Sequence, residues 1–376
     1  MAKYCRFLAV ALLVFVAASS VVARGPFITP GARATGFGTA FVSIADDLTA
    51  IYWNPAGLAY QKDKQVMFSL YGVAANATSN DAFGFKKYET SALIPFLGFS
   101  MPYNETMTVA FGVYASGGGG GKVADIDPYK IEGQQSFTVY NVSLAKKIND
   151  KLSVGIGFEG IEMKDKLVYK IPYAWLGLPY PGETDVDYNR SAFGFQGNIG
   201  IMYKPVEKLS TGFMLRSGTY IGLPKETNSS NPSFVDGYTY PMTMELGASY
   251  KVSDPLTVAF AAAYNKYSWT SAQYQDTVQF RLGSEYKATD KLALHLGFFT
   301  DPNIYKNSGV SGANYNVTNI DMYNMQYLCM GAEYNVTKSV NLGLTYTHSF
   351  TQDVVSNGVT YEYPVDMFRF DVGYKF

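Results

Sequence analysis

The sequence predicts an all-β fold: a transmembrane barrel of about 14 antiparallel strands, with a small hatch from the N-terminus in its lumen. Three observations lead to this fold class. Most of the chain alternates apolar and polar residues with the period of a β-strand. The connections between these strands alternate between short and long, as in barrels of the bacterial outer membrane. A secretory leader precedes the first strand.

The composition favours a membrane-embedded β-structure and excludes several classes of protein. Of the 376 residues, 16% are charged and 16% are aromatic, with 31 Tyr and 25 Phe. Soluble domains carry roughly 25% charged residues, whereas Tyr and Phe favour strands and membrane interfaces. The net charge is -1 and no block of Lys and Arg occurs, so we expect no nucleic-acid partner. We also expect a monomer that needs no cofactor.

Residues 1–23 have the organisation of a signal peptide. Basic residues near the start precede an apolar run over residues 7–16, and small residues precede the expected cleavage site. The apolar run is too short to be relied on as a membrane span. Cys5 belongs to this leader, which leaves Cys329 as the only cysteine of the mature chain. We therefore expect no disulfide, and we interpret Cys329 as a small residue on a strand.

Alternation is clearest at the C-terminus of the chain. Phe368, Phe370, Val372, Tyr374 and Phe376 share one face of a predicted strand, and the residues between them are polar or small. Similar alternation recurs in the segments 242–250, 278–286 and 292–298. These segments are therefore predicted to be strands with one apolar face.

The less apolar face of the strands decides between a barrel and a soluble β-protein. It carries Glu159, Glu245, Arg281, Glu285, Glu333, Arg369 and Asp371. A secreted β-sandwich or propeller also alternates, but it would pack one face into a core. A polar lumen with an apolar exterior accounts for both faces. We therefore expect these charged residues to point into the lumen, together with His295, and we expect His348 at the lipid interface.

The predicted strands and connections follow the barrel pattern. The strands span residues 63–74, 90–102, 106–117, 134–148, 151–164, 189–204, 208–222, 241–253, 256–269, 276–289, 291–302, 324–337, 339–351 and 363–376. Short connections are expected near residues 103–105, 149–150, 205–207, 254–255, 290 and 338. Long ones are expected near residues 75–89, 118–133, 165–188, 223–240, 303–323 and 352–362. The even strand count places both ends of the mature chain on the periplasmic side.

Tyrosines mark the ends of several strands. Tyr203, Tyr250, Tyr286 and Tyr334 each precede a short polar turn, with an aliphatic residue at the start of the next strand. Tyr and Trp concentrate where a membrane protein crosses the membrane–water interface. We therefore predict an aromatic girdle at the periplasmic interface. The glycine run at residues 117–121 is interpreted as a mobile loop tip, although it also lies where the third strand could be distorted.

Residues 24–62 do not alternate and are predicted to form a plug, with the barrel over residues 63–376. Ser43 to Asp46 fits a capping box that opens a helix through Ala50 and ends near Trp53. Asn54 then caps a second short turn, with Pro55 at its first position. Because the N-terminus is periplasmic, such a compact segment would fold into the lumen.

The same residues resemble a known family. Residues 31–40, the Ala-Asp-Asp stretch at 45–47 and the Asn-Pro-Ala-Gly-Leu stretch at 54–58 resemble the N-terminal hatch of the FadL family. That family consists of outer-membrane transporters for long-chain fatty acids and aromatic hydrocarbons, with fourteen-stranded barrels. The resemblance implies a hatch or gate formed by Asp46, Asp47, Asn54, Pro55 and Ala56. It also implies that a distorted third strand opens the wall sideways.

Four residues are predicted to line a ligand path in the lumen. Ile94 and Phe96 make the second face of their strand apolar as well, next to Pro95. Either an apolar pocket or packing against the plug explains them. Arg281 and Arg369 are expected to face inward, where they would pair with carboxylates, hold the plug or orient a carboxylate ligand.

The sequence predicts passive transport of hydrophobic small molecules. A scaffold or shuttle for secreted proteins is the alternative, and a general porin is disfavoured by the plug. No nucleophile elbow and no zinc motif occurs, so an enzyme is not expected. The expected partners are a hydrophobic ligand, outer-membrane lipid and the barrel-assembly machinery. The last of these would read the terminal Phe376, by resemblance to other outer-membrane proteins.

Overall fold

The strands of the chain close into a barrel. The computed structural model describes residues 29–77, 88–126, 129–172, 182–224, 237–272, 274–306, 324–351, 354–356, 359–361 and 365–376. The predicted leader, residues 1–23, lies outside the described residues, so its cleavage stays a prediction.

Fourteen antiparallel strands form the wall, which closes where the first of them pairs with the last. They are β1 (Gln65–Ala77), β2 (Tyr88–Pro102), β3 (Met107–Ile126), β4 (Tyr129–Lys147), β5 (Leu152–Pro172), β6 (Glu183–Val206), β7 (Leu209–Arg216), β10 (Thr243–Lys251), β11 (Leu256–Asn265), β12 (Thr277–Lys287), β13 (Leu292–Asp301), β14 (Met325–Asn335), β15 (Val340–Thr351) and β18 (Val365–Lys375). The predicted strand number is confirmed.

Among the described residues, four short strands do not belong to the wall and form two separate ribbons. β8 (Thr219–Gly222) pairs with β9 (Gly237–Tyr240), and β16 (Val354–Ser356) pairs with β17 (Val359–Tyr361). A single strand over residues 208–222 was therefore wrong. The wall strand ends at Arg216, because Gly218 takes a φ of 73° that breaks the extended backbone. The strand predicted over residues 256–269 likewise ends at Asn265 and continues as a short 3-10 helix, Tyr267–Trp269.

The wall extends further than predicted on the side of the long connections. β3 and β4 remain paired from Gly117 with Phe137 to Ile126 with Tyr129, so the loop over residues 118–133 was wrong. The loop over residues 165–188 was wrong in the same way, since β5 and β6 pair up to Pro172 and Glu183. Glycine has a low strand propensity, but the facing strand supplies hydrogen-bond partners for its backbone.

The predicted faces of the strands are confirmed. Leu246, Leu282 and Phe368 are more than half exposed on the outside. Glu245 and Asp371, which lie on the opposite face of their strands, are buried inside the barrel. The girdle tyrosines Tyr203, Tyr250, Tyr286 and Tyr334 are exposed on the outside.

The N-terminal plug, which we define as residues 29–61, lies inside this barrel. It contains helix α1 (Ala32–Gly36), helix α2 (Ala50–Trp53) and the 3-10 helix η1 (Pro55–Tyr60). Helix α1 contacts β13, β14, β15 and β18, whereas η1 contacts β3 to β6. Since these strands lie on opposite sides of a closed wall, the plug crosses the lumen between them.

The predicted helix of the plug was wrong at its start. The helix begins at Ala50 rather than after Ser43, whose buried hydroxyl has no hydrogen-bond partner. Residues 41–49 instead form turns that fit the curved inside of the wall. The predicted cap is confirmed, because the Asn54 side chain accepts a hydrogen bond from the Ala56 amide at the start of η1.

Candidate functional site: the plugged lumen

The plug backbone lies directly against glycines of the wall. A Cβ atom on Gly155 would lie 2.3 Å from the carbonyl carbon of Pro55. A Cβ atom on Gly283 would lie 2.1 Å from the carbonyl oxygen of Phe37. A side chain at either wall position would therefore push the plug inward. The glycines on the lumen face define the seat of the plug.

Asn54 ties the plug to itself and to the wall. Its Nδ2 donates to the carbonyl oxygens of Val42 and Ile201, at 2.8 and 3.1 Å, and its Oδ1 accepts from Ala56. The residue is fully buried. A small side chain there would leave two buried carbonyls without their donor, which is costly.

The two aspartates of the plug differ in environment. Asp46 is exposed and pairs with Arg33, which also contacts Glu285 at 2.8 Å. Asp47 is half-buried and accepts hydrogen bonds from the amide and hydroxyl of Thr49. Burial raises the pKa of Asp47 to about 6, against the lowering effects of Arg33 and Thr49.

Arg281 and Arg369 face the lumen, and each contacts the plug. Arg281 pairs with Glu245 at 2.7 Å and donates to the carbonyl oxygen of Thr39 at 3.4 Å. Arg369 donates to the carbonyl oxygen of Thr29 at 3.1 Å. These contacts fit the predicted function of holding the plug. Their predicted contribution to ligand binding stays a prediction.

A buried ion pair joins the other side of the wall to the plug. Glu159 is fully buried and pairs with Arg216 at 3.2 Å. Arg216 donates to the carbonyl oxygen of Tyr52 at 2.9 Å and lies over its ring. Glu159 also accepts hydrogen bonds from Tyr114, Asn141, Gln196 and Asn198. This network positions helix α2 of the plug.

Ile94 and Phe96 lie on the lumen face of β2, and both are buried. The Phe96 ring lies 6.2 Å from that of Tyr114, and both rings belong to the core that contains Leu48 and Ile51 of the plug. Phe96 thus packs against the plug, which was one of the two explanations given for the second apolar face of this strand. Further along the same side, the lumen is lined by Phe137, Val139, Ile161 and Met163, all buried.

The wall has a gap in its hydrogen bonding next to this apolar side. β2 and β3 pair only from Pro102 with Thr108 to Phe96 with Tyr114. Beyond this point, both strands continue without pairing with each other in the described residues. Pro95, the first residue of β2 beyond the last pair, lies at the gap and has no backbone N–H to donate. β3 has a bulge between Ala115 and Gly117. We call this gap the seam.

Sequence reasoning missed several of these residues. Arg33 and Arg216 were not singled out, although Glu159 was placed in the lumen and Tyr52 was expected to pack in the plug. The sequence did contain one signal for such contacts, because Glu159 is a lone carboxylate at a lumen position of an otherwise apolar segment. The glycines at lumen positions on strand after strand were a second signal, because a wall that must accept a backbone from inside needs them.

Other kinds of site are not supported by the described part of the chain. There, no three His, Cys, Asp or Glu side chains form a group that could hold a metal ion. Cys329 is a buried free thiol on β14. No helix among the described residues is long and apolar enough to span a membrane.

These features define a class: a transmembrane β-barrel whose lumen is filled by its own N-terminal segment. Comparisons with known proteins then give the family. The family described as "Outer membrane protein transport protein (OMPP1/FadL/TodX)" matches residues 14–373. The chain belongs to this family of outer-membrane transport proteins. It is therefore a protein of the bacterial outer membrane and not an enzyme.

Individual relatives are distant in sequence. Outer membrane protein P1 of Haemophilus influenzae is 22% identical, over 84% of this chain and 83% of that protein. The crystal structure of the Pseudomonas putida toluene transporter TodX has a TM-score of 0.72 at 15% identity, covering 95% of this chain and all of that one. A Pseudomonas aeruginosa FadL homologue has a TM-score of 0.71 at 15% identity, with 95% of this chain covered. At such identities the solved structures establish the fold alone.

Proposed function

We propose that the protein carries hydrophobic small molecules passively across the outer membrane, through a barrel gated by the N-terminal plug. The proposed substrates are long-chain fatty acids or aromatic hydrocarbons. The observation that carries the proposal is the apolar side of the lumen. Phe96, Phe137, Val139 and Ile161 face inward there, where a pore for polar solutes would carry polar groups. An apolar lining favours apolar ligands.

Two further observations support the proposal. The seam between β2 and β3 adjoins the apolar side, so a hydrophobic molecule in the lumen has a short way into the membrane. The resemblance of the hatch residues to the FadL family implies that the wall opens sideways at the third strand. One protein of similar fold is described as a toluene transporter. A lateral exit avoids the polar contacts that a route through the plug would require.

A substitution of Asn54 tests whether the plug acts as a gate. Changing Asn54 to Ala removes a cap, which costs about 1 kcal/mol, and shifts a closed-to-open balance by roughly fivefold. We expect Asn54→Ala to raise the uptake of radiolabelled oleate or toluene by cells. Heat-modifiability of the purified barrel should stay normal. Asn189→Ala, at an exposed position of β6, is the matched control and should behave as the wild type.

The outcome separates two functions. Unchanged uptake of every hydrophobic compound by Asn54→Ala, in a normally folded barrel, would contradict the gate. A wild-type protein that raises the uptake of no hydrophobic compound above that of cells lacking it would contradict transport itself. That second result would favour the scaffold for secreted proteins.

A further inference from the structure

The ribbon of β8 and β9, which we call the inner ribbon, leaves the wall and packs inside the barrel. Ile221 of β8 is fully buried. A Cβ atom on Gly194, on the lumen side of β6, would lie 2.6 Å from Cγ1 of Ile221. Such a close approach places β8 against the inner surface of β6. The inner ribbon is therefore part of the lumen and not of the outer surface.

Aromatic rings of β9 cover the apolar side of the lumen. The ring of Tyr238 lies 4.8 Å from that of Phe137, and the ring of Tyr240 lies 5.8 Å from it. Phe137 is buried on the lumen face of β4 and pairs in the wall with Gly117. The two tyrosines thus occupy the face of Phe137 that a hydrophobic ligand would contact on this side.

A hydrogen bond joins the inner ribbon to the seam. The Tyr240 hydroxyl donates to the carbonyl oxygen of Ser116 at 2.8 Å. Ser116 is the bulged residue of β3, without a register partner on β4, and it lies two residues past the last β2–β3 pair at Tyr114. Tyr240 therefore supplies a donor at the residue of β3 that has no register partner, which stabilises the bulge in this geometry.

The base of the inner ribbon has the properties of a hinge. Gly218 takes a φ of 73°, a conformation that residues with a side chain rarely adopt. A Cβ atom there would lie 2.6 Å from the carbonyl oxygen of Tyr240. Pro241 restricts the backbone at the other end of the base. Backbone rotation at Gly218 would move β8, and β9 would follow because it is paired with β8.

We propose that the inner ribbon is the gate of the seam, with the Tyr240–Ser116 hydrogen bond as its latch. When the latch is closed, Tyr238 and Tyr240 cover Phe137, and the bulge of β3 is held. A hydrophobic substrate that replaces these rings against Phe137 favours the open position, because it interacts with the open state alone. This gate is separate from the plug, and its importance for uptake rests on the proposed transport function.

Removing the latch is the first test. In Tyr240→Phe the ring remains while the donor is lost, so we expect faster hydrogen–deuterium exchange in the peptides around Ser116 and Tyr240, measured in lipid nanodiscs. We also expect toluene or oleate uptake to rise by about two- to tenfold, the range that one hydrogen bond supports. Tyr250→Phe, at an exposed position of the wall away from the seam, is the matched control. Equal exchange in wild type and Tyr240→Phe would overturn the latch.

Locking the inner ribbon is the second test. The Gly194→Cys/Ile221→Cys variant brings two thiols within reach of a disulfide, and the native Cys329 is buried elsewhere. We expect the oxidised protein to lose uptake at least tenfold and to regain it with a reductant. Each single variant should be insensitive to the reductant. Uptake that is equal in the oxidised and reduced double variant would contradict the gate.

The two proposals fail in different ways. If the wild type takes up no hydrophobic compound, the transport function is wrong, and the exchange measurement still decides the latch. If the wild type takes up the compound and the locked variant does so equally, transport stands and the gate is wrong.

Discussion

The two halves of the lumen differ in how they hold the plug. On the half formed by β10 to β18, hydrogen bonds and charges dominate: Arg281 and Arg369 donate to plug carbonyls, and the Thr345 hydroxyl donates to that of Ala32 at 2.6 Å. On the half formed by β2 to β7, rings and aliphatic side chains line much of the lumen. The plug is anchored there as well, by Arg216, which pairs with Glu159 and donates to Tyr52, and by Asn54, which donates to Ile201. We call these the polar half and the apolar half.

This difference indicates which half of the lumen can open to a ligand. Polar anchors are directional, and a plug that loses them leaves buried groups unpaired. Apolar contacts are not directional, so a hydrophobic ligand can replace them at little cost. Helix α1 lies on the polar half and η1 on the apolar half. The polar half thus holds helix α1, while the apolar half, away from its anchors at Ile201 and Arg216, offers the path to the seam.

Replacing a buried glutamate on each half tests this comparison, and we expect these substitutions to have the largest effect. Glu159→Leu leaves Arg216 as an unpaired buried charge, which typically costs about 3–5 kcal/mol in free energy of unfolding. Glu245→Leu on the polar half, which leaves Arg281, should cost less. Glu159 accepts from several neutral donors that also lose their partner, and Arg281 keeps Gln279 at 2.9 Å. Urea-induced unfolding of the purified barrel in detergent measures both.

A double change checks the cause of that loss. In Glu159→Leu/Arg216→Leu no charge remains unpaired, so part of the lost stability should return. A double variant no more stable than the single one would show that packing, and not charge, dominates this part of the apolar half.

The sequence predicted the wall well and the interior less well. Alternation at period two is a local signal, so the faces of β12 and β18 could be assigned without the structure. The turn at Gly218 and the pairing of β8 with β9 depend on distant residues such as Gly194 and Phe137, and no local pattern encodes them. Asn54 was predicted because a cap acts within two residues, whereas Arg216 bonds Tyr52 far away in sequence.

Protonation of Asp47 is expected to have the smallest effect, which is on the docking of the plug. Because the pKa of Asp47 is about 6 in the docked plug and roughly 3.9 in water, the docked state binds more protons between these values. Docking should therefore weaken as the pH rises from 4 to 6. Limited proteolysis of the plug at a series of pH values should show cleavage that rises with pH in the wild type and less so in Asp47→Asn. An equal pH dependence in both would exclude Asp47 as its source.

The central claim is that hydrophobic molecules pass along the apolar half of the lumen. Val139 and Thr347 are nearly isosteric and both buried, one on each half. We expect Val139→Asp to lower the uptake of radiolabelled toluene at least tenfold, and Thr347→Asp to leave it near the wild-type level. Both values are taken per folded barrel, counted by heat-modifiability in outer-membrane fractions. Equal loss in the two variants, or loss in Thr347→Asp alone, would contradict the account.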